Sequence, residues 1–94
     1  MSNTPLDRSD ADVARWIVDQ VQSNAVFYEA TTSYLIRRQF GERFLYQKAN
    51  GKWTISKRVL ALFNELTDVD VVWERGQRCW RMRRLSDKPG RNQP

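Results

Sequence analysis

The sequence predicts an α+β fold, three helices followed by a C-terminal β-hairpin, and three observations carry that prediction. Apolar residues recur at helical spacing in Val13-Trp16-Ile17-Val21 and in Val59-Leu60-Phe63-Leu66. Asn50-Gly51 is the strongest turn signal in the chain, because both residues tolerate positive φ. Val71-Val72-Trp73 and the run 78–83 flank Glu74-Arg75-Gly76-Gln77, in which Gly76 is the expected turn residue. Three helices, a small antiparallel sheet and a two-stranded wing form a winged-helix-like, helix-turn-helix-like order. Fold order alone does not carry function.

The first helix starts at Ser9 or Asp10, and Ser9 with Asp12 reads as a capping box with Asp in place of Glu. Ser23-Asn24 closes it. Ala25-Val26-Phe27-Tyr28 is a short β-prone run. A second helix is expected from about Ala30 to Phe40, ending at Gly41, with Ile36 and Phe40 inward and Tyr34 or Leu35 contributing. The stretch 42–46 fits a helical turn or a strand equally well. The Asn50-Gly51 turn joins Tyr46-Gln47 to Trp53-Thr54-Ile55, and Ser56 caps the third helix, which stops near Thr67-Asp68. Trp73 and Trp80 face each other across the hairpin as a core pair, with Trp16 and Phe63 beneath.

At 94 residues the chain holds one domain. Its expected boundaries are a flexible leader over 1–8, the domain over 9–85 and a flexible basic tail over 86–94, which has two prolines, a glycine and no large apolar side chain. No apolar run reaches the roughly 18–20 residues of a membrane span, and residues 1–8 are too polar for a signal peptide, so a cytoplasmic protein without a membrane partner is expected. The one cysteine, Cys79, sits beside Trp80 in an apolar strand pattern and allows no internal disulfide.

The chain contains no histidine. That removes the commonest general base, the Ser-His and Cys-His nucleophile pairs and the usual nitrogen ligand of zinc. No Gly-rich phosphate loop, HExxH, CxxC or nucleophile elbow occurs. The acids are scattered, and their one local cluster, Asp68 with Asp70, reads as a cap after the third helix. No catalytic residue, metal or cofactor is expected, and the chain reads as a non-enzyme.

The formal charge of +5 is unevenly placed. Seven basic residues and one acid over 37–58 give +6, and the same counts over 75–94 give +6 again. Residues 1–36 and 59–74 are acidic, at −3 and −4. Two basic blocks that meet on one face would make the footprint of a nucleic-acid binder, with Arg suited to bidentate phosphate contacts. The expected contacts are Arg37, Arg38, Lys57 and Arg58 at the junction of the second and third helices, with Arg75, Arg78, Arg81 and Arg83 from the wing. For the third helix the competing reading is a solvated face, because Glu65 and Asp68 lie on the same side as Lys57, Arg58, Ala61 and Asn64. For the wing arginines it is an edge strand kept charged against aggregation. A base-stacking role for Trp53 or Tyr46 is the lesser reading, since periodic aromatics are usually core.

Asp12-Val13-Ala14-Arg15-Trp16, Phe40-Gly41-Glu42-Arg43-Phe44, Asn50-Gly51 with Ile55-Ser56-Lys57, and Val71-Val72-Trp73-Glu74-Arg75-Gly76 with Arg78-Cys79-Trp80-Arg81 resemble an uncharacterised family of small bacterial proteins. The resemblance covers roughly residues 11–91. It implies a winged-helix-like fold, an occasional place on mobile elements, and no established activity or functional residues. The expected function is a DNA-binding module that holds phosphates. The alternative is a protein-interaction or homodimerisation module, with a second copy or another protein as partner.

Overall fold

The computed structural model describes residues 9–23, 26–67 and 70–94; the expected leader, the Asn24 helix stop and the Asp68 cap lie outside them. Among the described residues the chain is α+β, in the order α1 (Asp10–Ser23), β1 (Phe27–Tyr28), α2 (Glu29–Gln39), a 3-10 turn (Glu42–Phe44), β2 (Leu45–Gln47), β3 (Trp53–Ile55), α3 (Lys57–Thr67), β4 (Val71–Glu74), β5 (Cys79–Met82) and β6 (Asn92–Gln93).

Local side-chain chemistry starts the helices. The Asp12 amide donates to Ser9 Oγ at 3.2 Å and the Ser9 amide to Asp12 Oδ2 at 2.9 Å, a reciprocal box that satisfies two orphan donors of α1. Ser56 Oγ accepts from the Val59 amide at 3.2 Å and caps α3. With both starts fixed, α1 buries Val13, Ala14, Ile17 and Val21 against α3 and β5.

α3 buries Val59, Phe63 and Thr67. Thr67 can be buried because its hydroxyl donates to the Phe63 carbonyl at 2.8 Å. The stripe therefore centres on Val59, Leu60, Phe63 and Thr67, and Leu66, expected inward, lies on its margin at 49% exposure. In α2, Ile36 is buried, Leu35 is half-buried and Tyr34 is exposed. The helix ends where Gly41 takes φ 104°, with the Phe40 and Gly41 amides both donating to the Ile36 carbonyl. The ambiguous stretch 42–46 is both of its alternatives, a 3-10 turn and then a strand.

Four strands form one sheet in the order β1-β5-β4-β6, and β2 pairs with β3 in a separate hairpin. Trp73 sits opposite Trp80 with ring centroids 4.7 Å apart, and Phe63 meets Trp80 edge-on at 5.7 Å. Trp16 is not beneath that pair; it packs edge-on against Phe27 and Phe40. Arg81 is buried and paired with Glu74 and Asp87, so the reading of it as an outward charge on an edge strand does not apply. The positive φ of the β4–β5 turn falls on Arg78, at 52°, and not on Gly76.

The segment 86–94, expected as a flexible tail, folds back on the domain. β6 runs parallel to β4, with the Trp73 amide donating to the Arg91 carbonyl and the Arg75 amide to the Gln93 carbonyl, both at 2.9 Å. Arg91 donates to the Asn64 carbonyl at 3.0 Å and to the Val71 carbonyl at 3.2 Å, satisfying one carbonyl in the last turn of α3 and one at the start of β4. Polar contacts replace the apolar anchors that the segment lacks.

Candidate nucleic-acid interface

Basic residues from distant parts of the chain meet where the two hairpins approach each other. The β2–β3 turn is shaped by Asn50, whose Oδ1 accepts from the Lys52 amide at 3.0 Å, and by Gly51 at φ 86°. That turn presents Lys48, Lys52 and Trp53 to an open groove of about 430 Å³. The opposite wall comes from Gln77 and Arg78 in the β4–β5 turn, with Tyr28 and Glu29 at the start of α2.

Arg78 is clamped to Glu29. Its carbonyl accepts from the Glu29 amide at 3.0 Å and its Nε donates to Glu29 Oε1 at 3.1 Å. Its guanidinium also lies 5.7 Å from the Trp73 ring centroid. Glu29 Oε2 accepts from the Thr54 hydroxyl at 3.2 Å, which ties the start of α2 to β3. Three cations and one carboxylate thus line the groove, and among the described residues Lys48 and Lys52 have no side-chain partner.

The other expected contacts are dispersed. Arg37 lies 4.9 Å from the Trp53 ring centroid, close to the groove, and pairs with Glu42 at 2.8 Å. Arg38 folds onto Tyr34, donating to its hydroxyl at 3.0 Å. Arg58 pairs with Asp10 at 3.0 Å and lines a separate groove with Arg43 and Phe44. Lys57 and Arg75 are exposed and, among the described residues, without side-chain partners. Arg83 donates to the Lys88 carbonyl at 3.1 Å, holding the folded-back segment.

Arg81 leaves the candidate set. Its side chain is 7% exposed and its guanidinium donates to Asp87 at 2.9 and 2.8 Å and to Glu74 at 2.7 Å. Those bonds raise its pKa further, so it is a permanent cation whose donors are committed inside the domain. Asp87, hydrogen-bonded by Arg81 and by the Arg84 amide at 2.7 Å, is held well below the usual carboxylate range.

Lys48 and Lys52 belong to the first basic block but were not among the expected contacts. Their signal is the pair of lysines flanking Asn50-Gly51, at both ends of a tight turn. Glu29 and Gln77 carry no signal that sequence could reveal, because only the pairing of β1 with β5 brings them together.

Among the described residues no group of three or more His, Cys, Asp or Glu could hold a metal, and no helix is long and apolar enough to cross a membrane. Residues 9–82 match a family of unknown function (DUF6953), a span that ends with β5 and leaves the folded-back segment outside it. No curated protein and no solved structure matches the chain.

Proposed function

This chain belongs to that family of unknown function, and we propose that it is a non-enzymatic nucleic-acid-binding module that holds DNA phosphates at the groove between its two hairpins. The observation that carries the reading is the meeting of Lys48 and Lys52 from one basic block with Arg78 from the other. Lysine and arginine amassed at one concave site raise the local potential and attract a polyanion. The element pairing supports a winged-helix-like reading: β1, between the first two helices, pairs with β5 of the wing. A hairpin between α2 and α3 takes the place of the short helix-turn-helix connection. That insertion, with Glu65 and Leu66 exposed on α3, moves the weight of binding from α3 to the hairpins. A cytoplasmic location belongs to the same reading.

An amide chemical-shift titration with a mixed-sequence DNA oligonucleotide tests it. Shifts concentrated at 48–53 and 77–78 are expected. Shifts confined to 83–87, or none, contradict the reading.

A second reading, a homodimerisation or protein-interaction module, has its own observation. Leu66, Met82 and Leu85 are exposed at 49%, 39% and 108%, and Met82 and Leu85 line one groove. Sedimentation equilibrium tests the homodimer form of this reading, which requires a dimer that Leu85→Lys dissociates.

A further inference from the structure

Building on the nucleic-acid reading above, we infer that the groove between the hairpins takes an unpaired base, so that single-stranded nucleic acid is the preferred ligand class. The lining is mixed, and the mixture is informative. Tyr28 lines the groove at 47% exposure, although its backbone is fixed by pairing with Cys79. Trp53 lines it too, half-buried and held by its pairing with Gln47. Tyr28 stays outside the core cluster that takes its neighbour Phe27, whereas Trp53 packs against the edge of that cluster beneath the Arg37 guanidinium.

Lys48, Lys52 and Arg78 supply positive charge around these rings. Glu29 lies among them, its carboxylate side chain 20% exposed. A carboxylate disfavours a phosphate beside it, yet it accepts a hydrogen bond from the exocyclic amine of a base. Asn50, which also lines the groove, adds an Nδ2 amide donor, its Oδ1 accepting from the Lys52 amide. The arrangement suits a base turned inward onto the Tyr28 ring and flanking phosphates held by the cations. A duplex keeps its bases stacked on each other and offers a groove of about 430 Å³ only its backbone.

The test is fluorescence anisotropy on the full chain, with a labelled mixed-sequence 12-nucleotide DNA strand and its blunt duplex at one low salt concentration. Wild-type protein should bind the strand more tightly than the duplex. Tyr28→Leu, which keeps an apolar side chain but removes the π face, should weaken strand binding roughly tenfold, with the duplex little affected. Tyr28→Phe should restore strand binding. Duplex binding equal to or tighter than strand binding overturns the inference and leaves the nucleic-acid reading standing, as does unchanged strand binding by a folded Tyr28→Leu. No binding of either form overturns both.

Discussion

The Lys48 amide donates to the Lys52 carbonyl at 2.8 Å, a bond that closes the β2–β3 hairpin and fixes both lysines on the lining of one groove. The closure depends on Gly51 at φ 86°, a conformation that costs an L residue about 1–2 kcal/mol. Gly51→Ala should lower stability by about that amount in urea unfolding and also weaken DNA binding, because the lysines lose their fixed spacing. Undiminished stability would show that the turn relaxes without cost.

Arg78 presents a separable pair of effects. Its backbone sits at φ 52°, which glycine adopts freely, while its guanidinium pairs with Glu29 at a half-exposed site where an ion pair contributes only about 0–1 kcal/mol. Arg78→Gly should therefore leave the melting temperature nearly unchanged while weakening DNA binding. Glu29→Gln should act in the opposite direction on binding, since it removes a negative charge from the groove. Equal affinities for both variants and wild type in anisotropy titrations would remove this site from the interface.

Asp87 predicts a pH dependence. Its folded pKa lies below the unfolded value of about 3.9, so its pairing with Arg81 stabilises the fold at pH above that value and is lost as pH falls through the depressed folded value. Asp87→Asn should lower the melting temperature by several degrees at pH 7, with the difference from wild type shrinking below about pH 4. A difference that persists unchanged at pH 2.5 would assign the effect to packing and not to charge.

Cys79 is 1% exposed, and burial, followed by the nearby Glu74 charge, pushes its thiol pKa up. Both effects suppress the thiolate that reacts with alkylating agents. Native protein treated with iodoacetamide should stay unmodified by mass spectrometry, and urea-unfolded protein should take one carbamidomethyl group. Rapid native labelling would indicate that β5 opens.

What the sequence reveals here is what adjacent residues decide among themselves. Ser9 with Asp12, Ser56 with Val59, and Asn50-Gly51 are bonds or turns within four residues, and each appears at its expected place. The Trp73–Trp80 pair was legible for the same reason, since a hairpin fixes its own register. Contacts that depend on tertiary closure were not legible. The segment 86–94 has no apolar periodicity, and its place beside β4 is set by Arg81 with Asp87 and by Arg91 with the last turn of α3. The candidate site followed the same division: basic blocks could be counted, but which of their members converge depends on β1 pairing with β5 and on Thr54 of the other hairpin bonding to Glu29. Leu66 shows the limit of periodicity, because Thr67 takes the buried position by bonding back to Phe63. Phe63→Ala should cost about 3–5 kcal/mol, whereas Leu66→Ala should stay within about 0.5 kcal/mol in the same urea titrations.

The most direct test is the salt dependence of DNA affinity for wild type and for Lys48→Ala/Lys52→Ala. Each phosphate contact contributes about −0.9 to the slope of log affinity against log salt for duplex DNA. Wild type should bind with a clear negative slope, and the double variant should be weaker and shallower by about 2. A wild-type affinity indifferent to salt, or an unchanged slope in the variant, would contradict phosphate binding at this groove.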